Sequence, residues 1–345
     1  MNKRLAYHAE RFGLTMVDPN GFDVERRKRG KGFSICFCNG ETISDKRLRQ
    51  RVKALVIPPA WTEVKICIDE TGHIQAIGRD EKGRLQYRYH DRWVDVRNAV
   101  KTERLLRFGR ALPRLRRRVE KDLRRRKLDR AMASAAAARL IDLEAMRPGH
   151  EKYAADGGRG VASLRKQNLR IVDKSAVLKF VGKSGRTHRI EVADRPLLNA
   201  LKRIRKGKGQ RLFRFPGQSK KQRTLTASLL NDYLHEAADG ALVSAKDFRT
   251  FRGSAEALRY LIEEAGPQPT SEAKRRRAVA AAMRSVSEVL RNTPAVARSS
   301  YVHPAIIVAY EDNTLDPDLM KGRRREGLSR TETALMRFLE THREA

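Results

Sequence analysis

Four short segments of the chain hold residue types that could handle a phosphoryl group. AMRPGHEKYA places Arg147 at a predicted helix end beside Pro148 and Gly149, with Lys152 and Tyr153 following. LKFVGKSGRTHRIEV places Lys183 at the tip of a predicted hairpin. SAKDFRTFRGSAEALRYL places Arg249 in a helical stretch begun by Ser244 or by Lys246 and Asp247. VLRNTPAVARSSYVHP holds Asn292 just after a helix and Tyr301 shortly before Pro304. A transferring phosphoryl group spreads negative charge over its nonbridging oxygens. Two arginines can grip that charge bidentately, which lysine cannot. A tyrosine can be the nucleophile, but its reference pKa of about 10 means that the phenol needs positive surroundings to ionise. A lysine can protonate the leaving oxygen if a tight loop holds it there.

Other chemistries lack their residues. There is no GxxxxGK[ST] phosphate loop and no GxGxxG after a strand; the GRG at 158–160 stands alone. GxSxG and HExxH are absent, and carboxylate pairs suited to two-metal catalysis are not prominent. Cys36, Cys38 and Cys67 have no zinc-ligand spacing, so no metal site is expected. Three cysteines in 345 residues do not make a disulfide framework and fit a reducing compartment. His188 and His303 read as local structure.

The elements that must position these residues fall into two textures. Residues 1–30 are polar and basic, end in ERRKRGKG, and read as a loosely structured arm. From about 33 to 95 the pattern is β: FSICFCNG, VKICID, HIQAIG and LQYRYH alternate between glycine-bearing turns. One short helix, SDKRLRQRVKAL, interrupts them; Ser44 or Asp45 can cap it and IPPAW stops it. From 96 to 146 nearly everything is helical. LRIVD, AVLKFVG and THRIEV then form a three-stranded antiparallel sheet, with Gly182–Arg186 as the second loop. The chain is helical again to about 310. The expected organisation is α+β: a β-rich domain over 1–95, a mainly helical domain over 96–311, and a basic tail with a short helix over 312–345.

Composition names the partner. The chain carries 75 Lys and Arg against 41 Asp and Glu, a formal net charge of +34. So large an excess favours a polyanion, and each neutralised phosphate releases counterions. Aromatic residues are only 6% and no basic amphipathic helix rich in Trp, Phe and Leu stands out, which disfavours a membrane surface. The Arg blocks between 104 and 130 are expected to face phosphates. Forty per cent hydrophobic residues suffice for a core.

Taken in order, the four segments closely resemble the type IB DNA topoisomerases of the compact poxvirus-type and bacterial form. R147-P-G-H-E-K-Y, F-V-G-K183, K-D-F-R249-T, N292-T-P-A and S-S-Y301 follow that family's motifs in order and spacing. IPPAW, GRDEKGR and QYRYH resemble its small β domain, so that the likeness covers about residues 33–310. The resemblance implies a bilobed clamp around duplex DNA, with Tyr301 as nucleophile, Arg147 and Arg249 on the nonbridging oxygens and Lys183 as general acid. It implies relaxation of supercoils through a 3′-phosphotyrosyl intermediate without ATP, metal or cofactor, by a monomer among the nucleoid of a bacterial cytoplasm. Poxvirus-type members carry His where this chain has Asn292. Asn can donate a hydrogen bond there but supplies no charge and no proton. The resemblance also implies DNA contacts from Arg79, Arg84, Gln86, Tyr87, Arg88 and Tyr89, with Arg79 and Arg84 touching the backbone. A tyrosine recombinase or integrase-like strand transferase shares the Arg, Lys, Arg and Tyr set, but would show His-x-x-Arg where this chain has KDFR.

Overall fold

The computed structural model describes residues 3–149, 158–217, 221–266, 269 and 271–342. Lys152 and Tyr153 of the first motif lie outside these. The chain divides into two compact units, Met1–Lys101 and Thr102–Ala345.

The first unit is a five-stranded antiparallel sheet. Its strands are β1 (Val24–Arg29), β2 (Gly32–Phe37), β3 (Thr62–Ile66), β4 (Ile74–Arg79) and β5 (Leu85–Tyr89), in the order β2-β1-β3-β4-β5. Alternation gives each face its own core. On one, Val24, Val64, Ile66 and Ala76 pack with Val52 and Leu55 from helix α2 (Lys46–Ala54) and its end. Asp45 is the cap of that helix, accepting from the amides of Arg47 and Leu48. Arg26 donates to the carbonyls of Ile57, Pro58 and Trp61, tying the IPPAW turn to β1. On the other face lie Phe22, Cys67 and Ile74.

The basic arm expected over residues 1–30 is instead folded over its described residues, from Lys3 onward. Helix α1 (Lys3–Arg11) buries Ala9, and Leu14 follows it, against Trp93 and Val96. β1 lies between β2 and β3. Single apolar residues among many cations carry little periodicity, yet tertiary contacts give each a place.

Helix α3 (Trp93–Leu123) runs 31 residues and passes through Pro113 without ending. Helix α4 (Arg130–Glu144) is almost wholly buried: Ala133, Ala135, Ala136, Ala137, Leu140 and Ile141 are all inaccessible. Small side chains let neighbouring elements approach its backbone on every side. The expected three-stranded sheet follows as β6 (Leu169–Val172), β7 (Ser175–Val181) and β8 (Thr187–Val192), in that order. Then come α5 (Arg195–Lys206), a short two-stranded sheet not foreseen from the sequence, β9 (Arg214–Pro216) and β10 (Gln222–Thr224), and α6 (Ala227–Ala237). Helices α7 (Ala245–Arg259), α8 (Glu272–Leu290), α9 (Pro294–Ser300) and α10 (Pro304–Glu311) complete the region that carries Arg249, Asn292 and Tyr301.

The last helix, α11 (Arg330–Thr341), packs on α7 and belongs to the second unit's core through Leu335, Met336, Phe338 and Leu339. The described residues after 311 are therefore an integral part of this unit and not a tail. Gly109 on α3 exists for this packing, since a Cβ there would collide with the sulfur of Met336. Among the described residues no helix is long and apolar enough to cross a membrane.

Candidate active site

Arg147 is set by two glycines. The chain leaves α4 through Ala145, which is left-handed at φ 48°. The carbonyls of Arg147 and Pro148 then accept from the amides of Val161 and Ala162, both at 2.8 Å. Gly149 (φ 82°) and Gly160 pass back to back; a Cβ on Gly149 would lie 2.7 Å from the carbonyl carbon of Gly160. The isolated GRG at 158–160 thus serves a close backbone approach that holds Arg147 in place.

Lys183 lies in the tight turn Lys183–Gly185 between β7 and β8, with Gly185 at φ 73°. The Gly182 amide donates to the Arg186 carbonyl at 2.7 Å and closes the loop. Gly182 has no room for a side chain, because the His188 ring occupies that space.

Arg249 is 2% exposed on α7. Its guanidinium donates to the carbonyl of Ala145, at the α4 end leading to Arg147, and to that of Leu290 at 3.0 Å, at the end of α8. It therefore joins the Arg147 segment to the Asn292 segment. Arg291 makes a second tie, donating to the Glu144 carbonyl at 2.6 Å and pairing with its carboxylate at 2.7 Å.

Asn292 follows the left-handed Arg291 (φ 52°), its own amide donating to the Ser287 carbonyl. Asn292 stands just before the next helix but does not cap it. Thr293 does so instead, accepting from the Val296 amide. Both polar atoms of the Asn292 side chain are shielded from solvent and have no hydrogen-bond partner. A shielded amide without a partner is costly to keep, and it is available to an incoming oxygen.

Tyr301 lies between α9 and α10 and is half-buried, with the Arg249 guanidinium 4.7 Å from its ring centroid. Burial alone would raise its pKa. The charges of Arg249, Arg147 and Lys246 outweigh that and hold the phenol below its ordinary value. Its backbone is fixed from α7, the same helix that carries Arg249. Ser254 Oγ donates to the Tyr301 carbonyl at 3.2 Å and accepts from the His303 amide at 3.0 Å. A Cβ on Gly253 would lie 3.2 Å from the Tyr301 carbonyl oxygen and 2.9 Å from Leu290. His303 caps α10 by accepting from the Ala305 amide through Nδ1, which leaves Nε2 as the donor to Thr102 Oγ1 at 2.9 Å.

Arg147, Arg159, Arg249, Arg291, Gly182 and His188 line one small recess. His188 is held below its usual pKa by burial and then by Arg291, Arg147, Arg186 and Arg249. The neutral imidazole thus sits amid guanidinium groups, and among the described residues the only carboxylate joined to Arg147, Arg249 or Arg291 is that of Glu144, on Arg291. Such a recess attracts an anion and favours ionisation of a phenol beside it. His188, Arg291, Gly253 and Ser254 were not singled out as site residues from the sequence. Their roles depend on long-range packing; the one sequence signal was the glycine within the Arg147, Lys183 and Arg249 motifs.

The β-domain residues are occupied locally. Arg79 pairs with Glu63 at 2.9 Å and donates to the Gly83 carbonyl. Arg84 pairs with Asp80 at 2.7 Å, and chiefly that bond holds Asp80 down at about 2. Gln86 donates to the same carboxylate. Arg88 donates to the carbonyls of Leu55 and Tyr89 and pairs with Asp91. Tyr89 is sandwiched between Tyr87 and Trp93, both at 5.8 Å between ring centroids. Tyr87 is 42% exposed. Exposed pairs of this kind contribute little to stability.

The Arg blocks of 104–130 differ from expectation. Arg104, Arg107, Arg114, Arg116, Arg117, Arg118, Arg124, Arg125 and Arg130 each pair with a carboxylate. Arg116 bridges Asp142 and Glu332 while partly buried. Arg104, Arg116 and Arg130 brace one helix against another, whereas Arg107, Arg118, Arg124 and Arg125 pair with residues three or four positions away.

The family model for the catalytic core of eukaryotic DNA topoisomerase I matches residues 91–319, and that for the N-terminal domain of bacterial DNA topoisomerase IB matches residues 32–80. The DNA topoisomerase 1B of Acanthamoeba polyphaga mimivirus is 30% identical over 298 residues, 84% of this chain and 88% of that protein. The DNA topoisomerase 1B of Vaccinia virus (strain Copenhagen) is 23% identical over 245 residues, 70% of this chain and 74% of that protein.

Proposed function

The chain belongs to the type IB DNA topoisomerases, and from that premise we propose that it relaxes supercoiled duplex DNA through a phosphotyrosyl intermediate centred on Tyr301. The observation that carries this reading is the Arg249 guanidinium over the Tyr301 ring, beside a recess lined with arginines. Tyr301, its phenol proton lost to solvent, attacks one phosphodiester phosphorus through Oη as the bond to the 5′ oxygen breaks. Arg147 and Arg249 hold the nonbridging oxygens, and the unpartnered Asn292 amide adds a hydrogen bond. Lys183, carried on its tight turn, gives a proton to the departing 5′ oxygen. The 3′-phosphotyrosyl bond conserves the energy of the linkage, so rotation of the free end and reversal of the attack need no ATP. Guanidinium groups supply the charge stabilisation, so no divalent ion is required.

The direct test is supercoiled plasmid incubated with the protein in excess chelator and without nucleotide. Complete relaxation is expected, with a ladder of intermediate topoisomers at short times. Plasmid that stays supercoiled, or that relaxes only when a divalent ion is restored, overturns the reading.

The backbone ties of Tyr301 give a second expectation. Ser254→Ala removes the donor to the Tyr301 carbonyl and leaves the buried His303 amide without its acceptor. A lost buried hydrogen bond costs about 1–3 kcal/mol, part of it in alignment of the nucleophile. Single-turnover cleavage should slow by roughly ten- to a hundredfold, while affinity for duplex stays within about twofold of wild type. A loss of affinity equal to the loss of rate would instead mean general loosening of the fold.

A further inference from the structure

The motif ERRKRGKG has no part in the site described above, yet it forms a definite structure. β1 pairs with β2 over six positions, from Val24 opposite Phe37 to Arg29 opposite Gly32. It pairs with β3 only at Val24, Glu25 and Arg26. Beyond Arg26 the two strands continue alone, as a two-stranded ribbon closed by the turn at Gly30 (φ 53°) and Lys31. Three further residues per strand give a projection of about 10 Å.

Cations cover this ribbon on both faces. Lys28 lies on the face of Val24 and Arg26, with Phe33 opposite it in register. The Arg26 guanidinium lies 4.1 Å from the Phe33 ring centroid and braces that exposed aromatic. Arg27 and Arg29 lie on the other face, and Lys31 is at the tip. Arg27 pairs with Glu25. Among the described residues no carboxylate pairs with Lys28, Arg29 or Lys31, and all three are exposed. In this they differ from the arginines of α3, most of which hold a carboxylate.

We propose that the β1–β2 ribbon is a duplex-binding finger that enters a groove of the DNA and sets Lys28, Arg29 and Lys31 against phosphates. A basic strip that only lies on a polyanion needs charge on one face. A ribbon between two phosphate backbones meets negative charge on both, as this one is built to do. The major groove, about 12 Å wide and 8.5 Å deep, admits a two-stranded ribbon, and the projecting length matches that depth. The proposal rests on the preceding section only for the identity of the substrate.

The test replaces Lys28, Arg29 and Lys31 together by Gln, which keeps the ribbon and removes three charges. Binding to a duplex is measured across salt concentrations in a Tyr301→Phe background, so that cleavage plays no part. Each phosphate contact contributes about 0.9 to the slope of log affinity against log salt. The slope should fall by about two to three and affinity at low salt by at least tenfold. The single-turnover rate at saturating DNA, measured with Tyr301 intact, should not change. An unchanged slope and affinity overturn the proposal and leave the ribbon to another partner, such as an acidic protein surface. Failure of the plasmid test with a reduced slope would reject the proposed reaction and keep the finger.

Discussion

Tyr301→Phe is expected to abolish plasmid relaxation and the covalent protein–DNA complex, and to leave binding to duplex DNA essentially unchanged. The substitution removes one oxygen from a half-buried ring whose place is set by its backbone. The Ser254 bond to the Tyr301 carbonyl and the close pass of Gly253 do not involve the hydroxyl. Phe therefore keeps the fold and the stack with Arg249. What it removes is the nucleophile. No other hydroxyl on the same short segment is equivalent. Ser299 and Ser300 lie within reach of each other at the exposed end of α9, whereas the Arg249 guanidinium stacks over the Tyr301 ring. The expected loss of relaxation is at least about 1,000-fold, more than 4 kcal/mol of barrier. It is read as topoisomer distribution and as end-labelled DNA retained on protein under denaturing conditions. Residual relaxation within tenfold of wild type would reject Tyr301 as the nucleophile and require another.

The elements most legible in the sequence were those whose chemistry restricts residue type. A Tyr, two Arg and a Lys in ordered motifs point to phosphoryl chemistry because few other side chains can do those jobs. The three-stranded sheet and its Gly182 loop were legible because strict alternation and a glycine turn have a local cause. What was hidden was long-range pairing. Arg116 meets Glu332 216 positions away, and Arg104 meets Asp247 143 positions away. No spacing rule distinguishes these arginines from ones that face phosphate. The same holds for α1, whose few apolar residues find Trp93 and Val96 far along the chain. It holds for His188 too, whose setting depends on Arg147, Arg249 and Arg291 arriving from three other elements. The 75 Lys and Arg are accordingly uneven in their work: those held by carboxylates add nothing to the net charge of +34, to which the cations of the β1–β2 ribbon that pair with no described carboxylate contribute in full.

The second large effect is expected at Arg249, which has three tasks. It donates to two carbonyls that end different helices, it stacks over Tyr301, and in the proposed reaction it grips a nonbridging oxygen. Arg249→Lys keeps a positive charge but offers one compact ammonium in place of a planar fork. It cannot reach both carbonyls and a phosphate, so cleavage should fall by about 100-fold or more. Arg249→Ala also strands the carbonyls of Ala145 and Leu290 in the interior, so it should lose rate and melt earlier. The two variants separate charge from geometry through their pH profiles. In the wild type, cations hold the Tyr301 phenol below its ordinary pKa against the opposing effect of burial. A phenol titrates to its reactive anion as pH rises, so the cleavage rate climbs along an alkaline limb. Without the Arg249 charge the burial effect gains, the pKa rises, and at any pH below it less phenolate is present. The limb of Arg249→Ala should therefore shift to higher pH, and that of Arg249→Lys should shift less. Single-turnover cleavage from pH 6 to pH 10 reads this directly, about tenfold in rate for each pH unit below the pKa. If the limb of Arg249→Ala coincided with that of the wild type, Arg249 would be a clamp on the phosphate alone, and the depressed phenol would have to owe its position to Arg147 and Lys246.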